Sequence, residues 1–191
     1  MYKLHFLIFT LLLVFFQLGA QCDLALNEVD EFDSTRVISA APISIGNIIP
    51  SMYETADGPL FIDEAKIMFT FSENDSLKSF FITLAIPEYE YQPIEKGFNV
   101  YLKLSDGGVV RLYNVPDNGK FDRHTNMRLY QHTCVVPLDY FSRFTFSFIE
   151  KIRVSYKFQN RDFDITPEQQ EALRESVQCV GKATGLYPVK P

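Results

Sequence analysis

The chain has 191 residues, with Lys+Arg 18 against Asp+Glu 24, a formal net charge of −6 and 47% hydrophobic residues. That is globular composition, and it excludes a disordered, collagen-like or coiled-coil chain. An acidic balance also excludes a nucleic-acid binder, which needs a cationic face, and a polybasic membrane-surface protein.

Residues 1–20 read as a secretory signal peptide. Lys3 supplies the positive start, Phe6 to Phe16 is an apolar run broken only by Thr10, and Leu18-Gly19-Ala20 ends in small residues. The apolar run falls short of the roughly 20 residues that cross a bilayer. Cleavage is expected after Ala20. A lipid anchor on Cys22 is the lesser alternative, because Gln21 stands where a lipobox wants a small residue. The remaining chain of about 170 residues suits one domain with a real core.

Residues 21–34 carry Asp23, Glu28, Asp30, Glu31 and Asp33 without periodicity, and are expected to form an exposed acidic lead-in. Arg36 to Ala41 and Ile43 to Ile49 are short apolar segments broken by Pro42 and Pro50, which points to edge strands. Next come two runs of period-2 alternation. Ala65, Ile67, Phe69 and Phe71 share one face, as do Phe80, Ile82, Leu84 and Ile86, with the turn cluster Glu73-Asn74-Asp75-Ser76 between them. Phe98, Val100, Leu102 and Leu104 form another face, and Asp106-Gly107-Gly108 permits a tight turn into Val109 to Tyr113. A polar loop from Pro116 through Asn126 leads to a strand over about Leu129 to Val136. Leu138 to Phe148 reads as a helical turn approaching a strand, in which Ile152, Val154, Tyr156 and Phe158 face one way.

One helix is expected, over 167–180. Thr166 and Gln169 make a capping box, Pro167 fits the first helical position, and Leu173, Val177 and Val180 form one stripe, with Gly181 as the stop. Residues 183–191 are expected to be a loose tail. The domain is therefore expected to span 35–182 and to be mainly β. Either an antiparallel β-sandwich or a strongly curved sheet, with one C-terminal helix, would bury the phenylalanine-rich faces.

The sequence holds few chemical constellations. Phosphate-binding glycine loops, H-E-x-x-H, G-x-S-x-G and C-x-x-C are absent, so no catalytic residue, metal ligand or cofactor is expected. His132 and Cys134 share a strand face, but neighbours at i and i+2 are poorly placed for a base to activate a thiol. Asp117, Asn118, Gly119, Lys120 and Asp122 mimic a calcium loop, yet Lys120 interrupts it and the closing Glu is missing. Asp162 and Asp164 read as solvation of a strand end rather than a glycosidase pair. Cys134, in a strand, and Cys179, in the helix, are the candidate disulfide, which would leave Cys22 free; the alternative is that all three are reduced and Cys134 is simply buried. The candidate binding surface is Glu88-Tyr89-Glu90-Tyr91, bounded by Pro87 and Pro93. On an extended chain it would present Tyr89 and Tyr91 on one side and Glu88 and Glu90 on the other.

The opening Asn27-Glu28-Val29-Asp30-Glu31-Phe32-Asp33 with the Arg36 to Ser39 strand, the Glu150 to Val154 strand and the Asp162-Phe163-Asp164-Ile165 lead-in to a helix together resemble small exported proteins common in Bacteroidetes. The resemblance implies a β-rich exported domain in a bacterial envelope, periplasmic, extracellular or at the cell surface. It transfers no catalytic residue. The leading expectation is a non-enzymatic binding or interaction module for a protein or glycan ligand. The alternatives are a hydrolase of envelope or extracellular polymers working through acidic residues, and an accessory subunit pairing through the edge at Arg36 to Ile49.

Overall fold

Alternating side chains drive most of the chain into a single antiparallel sheet. The computed structural model describes residues 23–187. Its strands are β1 (Leu24–Val29), β2 (Arg36–Ala40), β3 (Ile43–Thr55), β4 (Gly58–Glu73), β5 (Lys78–Glu88), β6 (Gly97–Leu104), β7 (Val109–Pro116), β8 (Lys120–Asp122), β9 (Met127–Val136), β10 (Ile149–Ser155) and β11 (Asn160–Asp164). Two helices, α1 (Leu138–Phe144) and α2 (Pro167–Thr184), complete it. The strand order is β1-β2-β4-β5-β9-β7-β6-β10-β11, with β3 also on β4 and β8 on β9. Of the two architectures expected, the curved single sheet is the one that forms.

The sheet curls without closing, and its far strand comes back toward the β3–β4 end. Arg161 on β11 reaches Glu64 on β4 at 2.9 Å. Gln169, at the start of α2, donates to the Gly46 carbonyl on β3 at 3.0 Å. The inner face holds the core, including Ile38, Ile67, Phe71, Ile82, Leu84, Leu102, Leu112, Ile152 and Phe163, all fully buried. Each such side chain stabilises the fold by about 1.5–3 kcal/mol. Both helices close the core. Phe141 of α1 stacks on Phe80 with ring centroids 3.7 Å apart. Leu173, Val177 and Val180 of α2 are buried as the stripe requires.

The capping box forms as expected. Thr166 Oγ1 accepts from the Gln169 amide at 3.3 Å, and Gln169 Oε1 accepts from the Thr166 amide at 3.1 Å. The C-terminus differs. Gly181 lies inside α2, and the helix ends at Gly185, whose φ of 72° is the left-handed cap. Gly181 instead permits close packing: a Cβ there would lie 2.7 Å from Tyr187 Cβ and 3.1 Å from Phe141 Cζ. The Leu186 and Tyr187 amides donate to the Gly181 carbonyl at 2.8 and 3.0 Å. Residues 183–187 are thus helix and cap rather than loose tail.

Three expectations about the N-terminal part need correction. Residues 24–29 of the acidic lead-in form β1, paired to β2 from Leu24↔Ala40 to Val29↔Arg36. Its alternating Leu24 and Leu26 were obscured by the surrounding acids. Accordingly β2 is not an edge, since β4 flanks its other side. Finally, Pro50 does not stop β3, which continues to Thr55 because Pro50 precedes a register shift where ladder bonds are broken. The expected leader, with Cys22, lies outside the described residues. Among those residues no helix is long and apolar enough to cross a membrane.

Candidate functional site

The two faces of the sheet offer different chemistry. On the inner face, four strands extend their buried alternation into a polar residue: Glu88 on β5, Asn114 on β7, His132 on β9 and Tyr156 just after β10. These meet. Asn114 Nδ2 lies 3.2 Å from His132 Nδ1 and donates to Asn99 Oδ1 at 2.9 Å. A bulge between Gly97 and Val100 turns Asn99 inward. His132 Nε2 lies 3.2 Å from the Tyr156 hydroxyl. With the Asn114 amide donating to Nδ1, Nε2 carries the proton and the imidazole is neutral. Burial holds the His132 pKa down to about 4. The Tyr156 hydroxyl continues the chain to the Glu88 carboxyl.

The chain ends in charge. Arg161 Nη2 meets Glu64 Oε1 at 2.9 Å, and Arg161 Nε stands 3.8 Å from Glu88 Oε1. That second pair is too long for a hydrogen bond, and both atoms lack a partner. Burial raises the Glu88 pKa, opposed by the Arg161 charge and the Tyr156 hydrogen bond. Glu64 Oε2 accepts from the Asn47 amide at 2.8 Å, across from Gly46. Gly46 is required twice over. Its φ is +74°, and a Cβ would lie 2.5 Å from Glu64 Oε2. The network thus holds two carboxylates around one guanidinium at the seam of the curled sheet. The Glu64 and Glu88 side chains are only 10% and 7% exposed. Neither lines the clefts of the outer face.

The outer face has two halves. Across β6, β10 and β11 it is a ladder of ion pairs: Lys103–Glu150 at 3.3 Å, Lys151–Asp164 at 2.8 Å and Arg153–Asp162 at 2.6 Å. Across β5, β9 and β7 it is uncharged and largely apolar apart from Thr83, Thr133, Gln131 and, at its edge, Arg111. Tyr113 stands opposite Val135, and Val135 opposite Phe81. Phe98 packs edge-on against Tyr113 at 5.3 Å. Phe98, Val115 and Val135 are 58%, 49% and 42% exposed.

This apolar half deepens into a trough. Its floor is low because β5 presents Thr83 and Ala85 between Met68 and Lys66 of β4 and Thr133 and Gln131 of β9. One wall is the far part of the β3–β4 hairpin, with Ile48 and Phe61. The other is the β8 loop, with Asp117, Lys120, Asp122 and Thr125. Two adjoining clefts of about 510 and 320 Å³ share Lys66, Ala85 and Leu129. The walls touch over one end of the trough. The Met52 amide donates to the Thr125 carbonyl at 3.1 Å, and Asn126 Nδ2 to the Met52 carbonyl at 3.2 Å.

The residues singled out from sequence are placed otherwise than expected. Glu88-Tyr89-Glu90-Tyr91 is not an alternating extended surface, because β5 ends at Glu88. Glu88 is buried in the network while Glu90 is exposed. Tyr89 donates to the Pro50 carbonyl at 2.6 Å and so tethers the hairpin wall. Tyr91 lies under the Arg128 guanidinium at 5.6 Å. The Cys134–Cys179 bond does not form. Cys134 is a free buried thiol, and Cys179 is disulfide-bonded without it. Cys179 lines a cleft against Ala40–Ile43 at the end of β2, and β9 stands three strands from β2. At about 4.8 Å per strand that is about 14 Å, twice the reach of a disulfide. Burial pushes the Cys134 thiol up to about 12, which leaves no thiolate at neutral pH. His132 is turned to Asn114 and Tyr156 rather than to Cys134.

In the loop that mimics a calcium site, Asp117 accepts from the Gly119 and Gln131 amides at 2.9 and 3.0 Å, and Asp122 from the His124 amide at 3.0 Å. These carboxylates shape the trough wall. Asp162 and Asp164 belong to the outer ion-pair ladder. What sequence reasoning missed was Arg161, Glu64 and the trough floor. A signal existed for Glu88, which continues the phase of Phe80, Ile82, Leu84 and Ile86. No family model, no curated protein and no solved structure matches this chain.

Proposed function

We propose that this protein is a non-enzymatic binding module of the bacterial envelope, holding its ligand on the apolar half of the outer face. The observation that carries the reading is the trough over Thr83 and Ala85, walled by the β3–β4 hairpin and the β8 loop. A concave, largely apolar trough with a few polar side chains such as Thr83 and Gln131 suits a ligand site. Exposed large apolar side chains gathered on one sheet face cost solubility and mark interaction surfaces. The leader and the likeness to exported Bacteroidetes proteins support the setting.

One observation favours a hydrolase instead: two carboxylates share Arg161, and the Glu88 pKa is raised. Burial counts against it, because a polymer would have to reach side chains about nine-tenths covered. Assembly through Arg36 to Ala40 is weakened too, because β2 is paired on both sides, whereas Ile43 to Ile49 lies in β3, which pairs β4 alone.

The test is a thermal-shift panel of envelope glycans and synthetic peptides on the cleaved protein and on Ala85→Trp, which fills the trough from outside the core. A ligand at about 100 times its Kd adds about 2.7 kcal/mol of stability. The expected result is a stabilising ligand whose effect disappears in Ala85→Trp while the unliganded melting temperature holds. Stabilisation that survives in Ala85→Trp, or a ligand that is cleaved, overturns the reading.

A further inference from the structure

Arg111 differs from the cations of the ion-pair ladder on the outer face. It lies on β7, opposite Tyr101, and its guanidinium sits over that ring at 5.2 Å from the centroid. Its Nη2 donates to the Phe98 carbonyl at 3.3 Å. Lys103, Lys151 and Arg153 on the neighbouring strands each hold a carboxylate. Among the described residues no carboxylate lies within ion-pair distance of Arg111, which is exposed beside the apolar band of Phe98, Tyr113 and Val135. A stacked arginine next to exposed aromatics is the residue set that dominates protein-recognition energetics.

Resting on the binding reading above, we infer that the ligand is an extended polypeptide segment with an apolar anchor in the trough and a carboxylate on Arg111. The charge complements Arg111, an exposed cation that its own sheet leaves without a carboxylate among the described residues, and Lys120 on the trough wall adds a second cation on the same face. The band between them exposes Tyr113, Val115 and Val135 beside Thr133, which suits the alternating apolar side chains and backbone groups of an extended peptide. The spacing follows from the sheet. Val115 is opposite Thr133, and Thr133 opposite Thr83. Four residues along β7 and two strands across make about 16 Å, which an extended chain covers in about five residues.

The experiment uses fluorescence anisotropy with labelled synthetic peptides carrying a Leu/Phe anchor. One set places Asp or Glu five residues from the anchor, a second replaces it with Gln or Lys, and a third moves the acid to two residues. The expected result is binding about tenfold tighter for the acidic five-residue spacing, loss of that preference in Arg111→Gln, and a switch toward the Lys peptide in Arg111→Glu. Unchanged melting curves for both exposed-site variants confirm folding. Binding that ignores peptide charge, or ignores Arg111, overturns the inference while leaving the trough reading intact. A glycan that stabilises the protein through Ala85, with no peptide bound, does the same. An Arg111-dependent charge preference that persists in Ala85→Trp overturns the trough reading instead.

Discussion

The sheet carries two halves built on opposite logic. Across β6, β10 and β11 the outer charges are paired in three ion pairs, and inside, Arg161 of β11 reaches the carboxylates of Glu64 on β4 and Glu88 on β5. Across β5, β9 and β7 the outer face is mostly apolar and uncharged, with Phe81, Tyr113, Val115 and Val135 among Thr83, Thr133 and Gln131, and Arg111 at the border lacks a carboxylate among the described residues. The same strand geometry serves both. The difference teaches that the outer charges of one half are satisfied within the sheet, whereas the apolar half is exposed surface whose energy is realised only when something covers it.

The sharpest way to break the charged half is inside it. Arg161→Met leaves Glu64 and Glu88 buried without a counter-charge, and is expected to destabilise the fold by about 3–5 kcal/mol in urea melts. A double Glu64→Gln, Glu88→Gln change in that background is expected to recover part of the loss.

A second test uses pH. His132 has its pKa held to about 4 by burial, below its ordinary 6.5. The unfolded chain therefore binds a proton that the folded protein refuses. Stability from this group is complete above pH 6.5 and falls as pH drops toward 4, by about 3 kcal/mol at most. Glu88 acts in the opposite sense, because burial raises its pKa, so acid relieves its cost. A net fall in stability between pH 7 and 4.5 is expected, with a flatter profile for His132→Gln.

The outer ladder should matter much less. Breaking Arg153–Asp162 in a double-mutant cycle is expected to give a small coupling that shrinks as salt rises, since the pair is solvated. The smallest effect on stability belongs to the apolar half. Phe98→Ser and Val135→Thr are expected to leave the melting midpoint within about 0.5 kcal/mol of the parent. They should instead shorten retention on a hydrophobic-interaction column and weaken any ligand. Large destabilisation by either would show that this face supports the fold rather than a partner.

How much of this could be read in advance divides by residue. Phase carried the inner face well: Ile67 and Phe71, Ile82 and Leu84, Leu102 and Ile152 are buried as alternation requires. The same phase places Glu88, Asn114 and His132 inside, yet their polarity argues for the surface, and only partners from elsewhere, Asn99 on β6, Tyr156 after β10 and Arg161 on β11, make their burial tolerable. Leu24 and Leu26 were hidden among acids, and Gly181 looked like a helix stop until Phe141 and Tyr187 were seen to need its bare Cα. Ala85 and Thr83 carry no signal as single residues. They become a trough floor only when larger neighbours on β4 and β9 and two overhanging loops surround them.

The sequence by itself determined the β class, the turns, the capping box and the apolar faces, because those depend on residues a few positions apart. Tertiary structure decided the strand order, the curl that brings Arg161 to Glu64, the free state of Cys134 and the isolation of Arg111. Each depends on which strands become neighbours, and pairing between distant strands is set by the summed burial of the whole core rather than by any local pattern.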